Sequence, residues 1–138
     1  MELKFIKTSP TENMTLLIET PVSREQHLEI AEKLIAYGSV YAEQAGYIEE
    51  PENPAAAKRL QMMAGEFCGN ALRCAGLYYA VSQGFRRSRT FPVEISGYDA
   101  PLSVQVNPLT GQVMAEMPLP KEILPCQLFG ESAKAVSI

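Results

Sequence analysis

The chain has 138 residues, of which 46% are hydrophobic and 20% are charged, a composition that excludes intrinsic disorder and fits one domain with a single core. Its net charge of −4 argues against a nucleic-acid binder, and no apolar run reaches the roughly 18 residues of a membrane span. Because no signal peptide is visible and the three cysteines form no CxxC pair, we expect a cytoplasmic protein without disulfides.

The first half of the chain predicts four strands and one amphipathic helix. The strands are expected at residues 2–7, 13–19, 39–49 and 58–64. The turn formers of residues 9–12 join the first two strands. Between the second and third strands, Ser23 and Gln26 have the spacing of a capping box, and apolar residues then recur at helical spacing. We therefore predict a surface helix over residues 24–37, closed by Gly38.

The second half begins with a helix that has almost no polar face. It runs from Gly69 to Gln83, with Gly84 as its stop, and a helix that is apolar nearly all round is a buried one. Three short runs follow and predict an antiparallel meander: residues 91–96, 101–107 and 111–117. No completed element is predicted after that, although residues 133–138 could open a further strand. The expected fold is α+β, an antiparallel sheet or barrel wrapped around a central buried helix.

A cysteine stands at the start of that helix, in the stretch GEFCGNALRCAG. The first turn of a helix presents unpaired N–H groups and a partial positive charge, which bind a carboxylate and favour a cysteine thiolate. Cys68 lies at this position, Gly69 lets a ligand approach the backbone, and the amide of Asn70 can donate and accept. The pattern predicts a site for acid–base or nucleophilic chemistry beside a bound anion. Its structural alternative is a small buried residue followed by a turn glycine.

Two kinds of site are disfavoured at this cysteine. A nucleophilic cysteine usually needs a neighbouring base, and the single histidine, His27, is expected on an exposed helix. A metal site is not expected either, because Cys68 and Cys74 are six residues apart and face different sides of a helix. A thiolate that acts as a base needs no histidine, so acid–base chemistry fits better.

At these residues the sequence resembles the N-terminal half of the diaminopimelate epimerase superfamily. The family motif CGNG-x-RC is similar to CGNALRC at residues 68–74, with Ala71 replacing the second glycine. The stretch LKFIKTSPTENMTLLIE looks like the opening strand pair, with Asn13 at a substrate-contacting asparagine. VYAEQAGYIE looks like the third strand, with Gln44 at another substrate contact. MPLPKEILP looks like the crossover out of the first domain, so the resemblance spans about residues 2–125.

Within the superfamily the chain is most similar to the histidine racemases of opine-metallophore pathways. Three segments look like that branch: NMT, Glu43-Gln44 followed by Gly46, and MAGEFCGNA. Diaminopimelate epimerases typically carry GND-F where this chain has ENM-T, and an FNADGS-like segment where it has LQMMAG. The resemblance therefore implies histidine as the amino-acid substrate, with Glu43 binding its ammonium or imidazole group. A solvent-facing glutamate is the structural alternative for Glu43.

The resemblance implies a cofactor-independent, two-base racemisation. One cysteine removes the α-proton as a thiolate while a second, as a thiol, protonates the opposite face. Cys68 would be one of the pair, and the N–H groups around Gly69 and Asn70 would stabilise charge on the substrate carboxylate. The second cysteine comes from a CG[TS]G-like motif in a second domain, and this chain has none. Cys74 is interpreted as core packing and Cys126 as incidental.

The expected organisation is a first domain at residues 1–120, with residues 121–138 as the crossover and the start of a missing second domain. The missing half could belong to a longer form of this chain, to a separate chain, or to a second copy in a homodimer. Four other functions stay open on sequence grounds. They are a diaminopimelate or other amino-acid epimerase, an isomerase like the phenazine-biosynthesis branch, a non-catalytic amino-acid-binding half-domain, and a redox thiol switch.

Overall fold

The computed structural model describes residues 2–9 and 12–137. Two helices and nine strands form there, with a short 3-10 turn at Arg24–Gln26. In chain order they are β1 (Phe5–Thr8), β2 (Thr15–Ile18), α1 (His27–Ile35), β3 (Gln44–Glu49), β4 (Lys58–Met62), α2 (Gly69–Ser82), β5 (Arg89–Ile95), β6 (Leu102–Asn107), β7 (Gln112–Ala115), β8 (Glu122–Leu128) and β9 (Glu131–Ser137). Pro10 and Thr11 of the predicted first turn, and Ile138, lie outside the described residues.

The first seven strands form one sheet that follows chain order and curls around α2 as a half-barrel. The helix packs against five of these strands: β2, β4, β5, β6 and β7. Its buried residues, which include Leu72 and Ala75, share one core with Leu60, Val93 and Val104 of the sheet. The predicted α+β fold with a central buried helix is confirmed, although Val81 near the end of α2 is 62% exposed.

The sheet is mixed, so the prediction of a wholly antiparallel sheet was wrong. β2 pairs with β3 in parallel, and β4 pairs with β5 in parallel; the other pairs are antiparallel. Parallel neighbours need a crossover connection, and a helix is the usual one. Here α1 connects β2 to β3 and α2 connects β4 to β5. Both helices are therefore crossover connections between parallel strands, which the periodicity of their own sequences did not indicate.

The first helix is shorter than predicted. Residues 24–26 form the 3-10 turn, and α1 itself covers only His27–Ile35. The predicted capping box does not form, because the Ser23 hydroxyl donates to the Gln26 side-chain oxygen (3.1 Å) and not to the helix backbone. The strand predicted from residue 39 begins only at Gln44.

The end of the chain forms a hairpin that the sequence did not predict. β8 and β9 pair antiparallel and make a separate two-stranded sheet. Phe129 (φ 52°) and Gly130 (φ 83°) both have positive φ, as a two-residue type I′ hairpin turn requires. Phe129 is an unusual residue at such a position, so the turn gave no clear sequence signal. The proposed domain boundary at residues 120 and 121 stays a prediction.

Two further properties of the described residues bear on function. Neither helix is long and apolar enough to cross a membrane. In the same part of the chain, no group of three or more histidine, cysteine, aspartate or glutamate residues is arranged to hold a metal ion.

His27 is buried, contrary to the expectation of an exposed helix. Only 2% of its surface is exposed, and its ring stacks on Tyr47 with the ring centroids 3.6 Å apart. Nε2 lies 3.1 Å from the main-chain oxygen of Val22, so this nitrogen carries the hydrogen. Nδ1 is buried without a hydrogen-bond partner among the described residues. Burial lowers the pKa of His27 below its ordinary value, and the ring is neutral in the folded chain.

The buried histidine predicts a loss of stability in mild acid. The unfolded chain binds a proton at His27 below about pH 6.5, whereas the folded chain resists it to lower pH. Neutral His27 therefore contributes fully to the free energy of unfolding above about pH 6.5, and this contribution is lost as the pH falls towards the lowered pKa. We expect urea midpoints to fall between pH 7.5 and 5. A His27→Phe variant, which keeps an aromatic ring against Tyr47, should show a smaller fall over that range; an equal fall would contradict the assignment.

Candidate active site

Cys68 is the N-cap residue of the central helix. Its backbone is extended (φ −141°, ψ 108°), and α2 begins at the next residue, Gly69, as predicted. The Cys68 sulfur accepts a hydrogen bond from the backbone N–H of Ala71 at 3.4 Å. Cys68 is half-buried, and its contact with the Ala71 N–H places the sulfur in the field of the helix N-terminus. The backbone N–H groups of Gly69 and Asn70 have no acceptor among the described residues.

A cluster of amide and hydroxyl side chains lies against this cysteine. Cys68 Sγ donates to Gln44 Oε1 at 3.0 Å. Gln44 Nε2 donates to Asn13 Oδ1 and to Thr15 Oγ1, both at 2.8 Å. Asn70 Nδ2 also donates to Asn13 Oδ1, at 2.8 Å, and to Thr15 Oγ1, at 3.2 Å. Three of the predicted substrate-binding residues, Asn13, Gln44 and Asn70, therefore meet beside Cys68 in one hydrogen-bonded network.

The sheet register and the helix position bring this network together. Gln44 is the first residue of β3, and it pairs with Thr15, the first residue of β2. Asn13 lies just before β2, and Asn70 lies in the first turn of α2. The parallel pairing thus aligns the starts of two strands beneath the start of the helix.

Sequence reasoning missed two members of the network. Thr15 is completely buried and accepts from both Gln44 and Asn70, yet in sequence it is one β-branched residue of a strand. Arg73 donates from its guanidinium to Asn70 Oδ1 at 3.1 Å. The signal that could have found Arg73 is its place in the CGNALRC motif. No periodicity argument selects Thr15.

A groove lies in front of the helix start. Its volume is about 550 Å³, and it lies between Gly69, Asn70 and Arg73 on α2 and residues 113–115 on β7. A Cβ atom on Gly69 would lie 2.9 Å from the Met117 sulfur. The absence of a side chain at Gly69 therefore lets Met117 pack closely against the helix start, where it forms one side of the groove. A space of this size suits a small amino acid.

Glu43 does not join the network. It precedes β3, its side chain is exposed, and its backbone N–H donates to the main-chain oxygen of Met14 at 3.0 Å. Among the described residues, its carboxylate has no hydrogen bond and no ion pair. Its role in binding an ammonium or imidazole group stays a prediction.

Neither of the other two cysteines lies at the helix start. Cys74 is 1% exposed within the core, and burial raises the pKa of its thiol, so it stays protonated. Its interpretation as core packing is confirmed. Cys126 lies on β8, is half-buried and forms no disulfide.

Comparison with known proteins gives a consistent result. The family described as "Histidine racemase CntK N-terminal domain" matches residues 2–138. A histidine racemase of Fusobacterium nucleatum subsp. nucleatum (strain ATCC 23726) is 34% identical over 125 residues, which cover 88% of this chain and 45% of that protein. A histidine racemase of Staphylococcus aureus (strain Mu50) is 31% identical over 96 residues, 69% of this chain and 35% of that protein. The chain thus spans less than half the length of these relatives, and it belongs to the histidine racemase N-terminal domain family.

Proposed function

We propose that the chain is the N-terminal part of a histidine racemase that works without a cofactor, with Cys68 as one of its two acid/base groups. The observation that carries the proposal is the position of the Cys68 sulfur. It lies at the N-terminus of a buried helix whose Gly69 and Asn70 N–H groups are unpaired among the described residues, and these two neighbouring residues line an open groove. The histidine racemase relatives support the choice of reaction and substrate.

The chemistry follows from charge placement. When a base removes the α-proton of an amino acid, the electron pair left on the α-carbon spreads into the carboxylate. Two backbone N–H groups at a helix N-terminus are fixed donors for that charge. A carboxylate bound to Gly69 and Asn70 would leave the α-carbon next to the Cys68 sulfur. Cys68 then takes or gives the proton on one face, and a second group exchanges a proton on the other.

The second group is the missing half of the site. Cys74 is buried in the core, and Cys126 lies on the separate hairpin, so neither is placed to serve. We propose that a second domain supplies it, because the Fusobacterium relative is more than twice the length of the matched region and so has room for one. A separate chain or a second copy of this chain would have to place its sulfur across one α-carbon from Cys68. We further propose a cytoplasmic location and a role in metallophore synthesis.

The proposal predicts exchange of the α-proton of histidine with solvent. We would incubate L-histidine, diaminopimelate and alanine in D₂O with each of two proteins. One is this chain alone, and the other, the two-part protein, is this chain fused to the C-terminal part of the Fusobacterium relative. Loss of the α-proton NMR signal and formation of D-histidine are expected with the two-part protein. Exchange of diaminopimelate in preference to histidine would overturn the assignment of histidine as the substrate. Binding of histidine with no exchange by either protein would favour an amino-acid-binding module over a racemase.

A further inference from the structure

We propose that Arg73 is a positioning residue: it fixes the direction of the amide hydrogen bonds beside Cys68 and so holds this cysteine as a thiol in the ligand-free chain. The inference deepens the proposed function and rests on it for its catalytic meaning. Arg73 is half-buried, and it lines both the groove at the helix start and a second groove that extends along α2 to Leu77. Nothing in the two-base scheme uses it.

Arginine has five N–H donors and no acceptor, so whatever it contacts must accept. Its terminal nitrogen lies 3.1 Å from Asn70 Oδ1. The Asn70 amide must therefore direct its oxygen towards Arg73 and its nitrogen away, towards Asn13 Oδ1 at 2.8 Å. A weaker contact from the same nitrogen to the Asn13 main-chain oxygen (3.3 Å) acts in the same direction.

The orientation of the Asn70 amide also fixes the orientation of the Gln44 amide. Because Asn13 Oδ1 accepts from Asn70, it faces its other neighbour as an acceptor too. Gln44 must therefore present its nitrogen to Asn13 and to Thr15, and it does so at 2.8 Å in both cases. Its oxygen is left facing the Cys68 sulfur at 3.0 Å.

A carbonyl oxygen cannot donate a hydrogen bond, so the sulfur has to supply the hydrogen. A thiol satisfies this contact, whereas a thiolate would place its charge against the oxygen lone pairs of Gln44. The Ala71 N–H group favours the opposite form, but its contact is longer, at 3.4 Å. In a two-base racemase one group must start protonated and the other unprotonated. The Arg73 network assigns the protonated role to Cys68.

The test measures how fast the Cys68 thiolate reacts, and it does not depend on racemisation. Iodoacetamide alkylates thiolates, so its rate at pH 7 reports the thiolate fraction. In a Cys126→Ser background, Arg73→Gln introduces an amide that can accept from Asn70 and lets the network reverse. We expect alkylation of Cys68 to accelerate roughly threefold to tenfold, the value of one hydrogen bond. Arg73→Lys, which also only donates, should stay within about twofold of the parent.

The direction of the change separates this role from simple electrostatics. Removing a positive charge near Cys68 would by itself disfavour the thiolate and slow alkylation. A Gln44→Leu variant, which removes the carbonyl contact directly, should also accelerate it, and adding Arg73→Gln should have little further effect. Slower or unchanged alkylation in Arg73→Gln, or fully additive acceleration in the double variant, would overturn the proposal. If Arg73→Gln does not fold, an unchanged or slower rate in Gln44→Leu does the same.

Discussion

Replacing Cys68 by serine is expected to reduce the exchange of the histidine α-proton by about 10²–10⁴-fold in the two-part protein, the usual contribution of a general acid or base. In the parent chain the Cys68 sulfur lies 3.0 Å from Gln44 Oε1. A serine hydroxyl can keep this contact and can still accept from the Ala71 N–H. It is too weakly acidic to ionise near neutral pH. The change therefore removes the proton-transfer group and leaves the packing of the helix start nearly as it was.

Proton NMR in D₂O measures the effect, and Cys126→Ser is the matched control. Cys126 is also a half-buried free cysteine, but it lies on β8, in the hairpin that is separate from the main sheet. The same substitution there should leave exchange within about twofold of the parent. Equal losses in the two variants, or full exchange in Cys68→Ser, would show that Cys68 does not transfer the proton. Unchanged binding of histidine by Cys68→Ser would confirm that the groove is intact.

The parts of this site that the sequence predicts are those with a local signal. The apolar residues after Gly69 and the stop at Gly84 define the central helix, and Cys68 at its start follows from both. The convergence of Asn13 and Gln44 on that cysteine has no local signal, because it depends on the parallel register of β2 and β3. Only the family resemblance placed these two residues at the site.

The missed features share a different cause. The buried hydroxyl of Thr15 and the direction set by Arg73 are properties of contacts between elements distant in sequence. The β8–β9 hairpin was missed because its turn uses Phe129 where asparagine or glycine is usual. Both parallel strand pairs were missed although the sequence predicts a helix between the two strands of each pair, which is the crossover connection that parallel pairing needs.

Gly97 is expected to be the most sensitive glycine for both stability and site geometry. It follows β5 with φ +75°, a conformation that costs other residues about 1–2 kcal/mol. A Cβ atom there would lie 2.4 Å from the backbone nitrogen of Phe67 and 2.8 Å from the carbonyl carbon of Glu66. Backbone atoms cannot move aside as a flexible side chain can. We expect Gly97→Ala to lower the free energy of unfolding by about 2–5 kcal/mol in urea titrations.

The same substitution should also reduce proton exchange, because the displaced segment leads directly into Cys68. Ser96 holds that segment, since its hydroxyl donates to the Glu66 main-chain oxygen and accepts from the Met62 N–H, both at 2.9 Å. Gly111→Ala is the matched control: its φ is +72°, and no atom of the described residues lies within 4 Å of the added Cβ. The free energy of unfolding of that variant should fall only by the conformational cost of about 1–2 kcal/mol, and its proton-exchange rate should be unchanged. If both variants lose equal stability and equal activity, the close approach of Gly97 to the Phe67 backbone does not position Cys68.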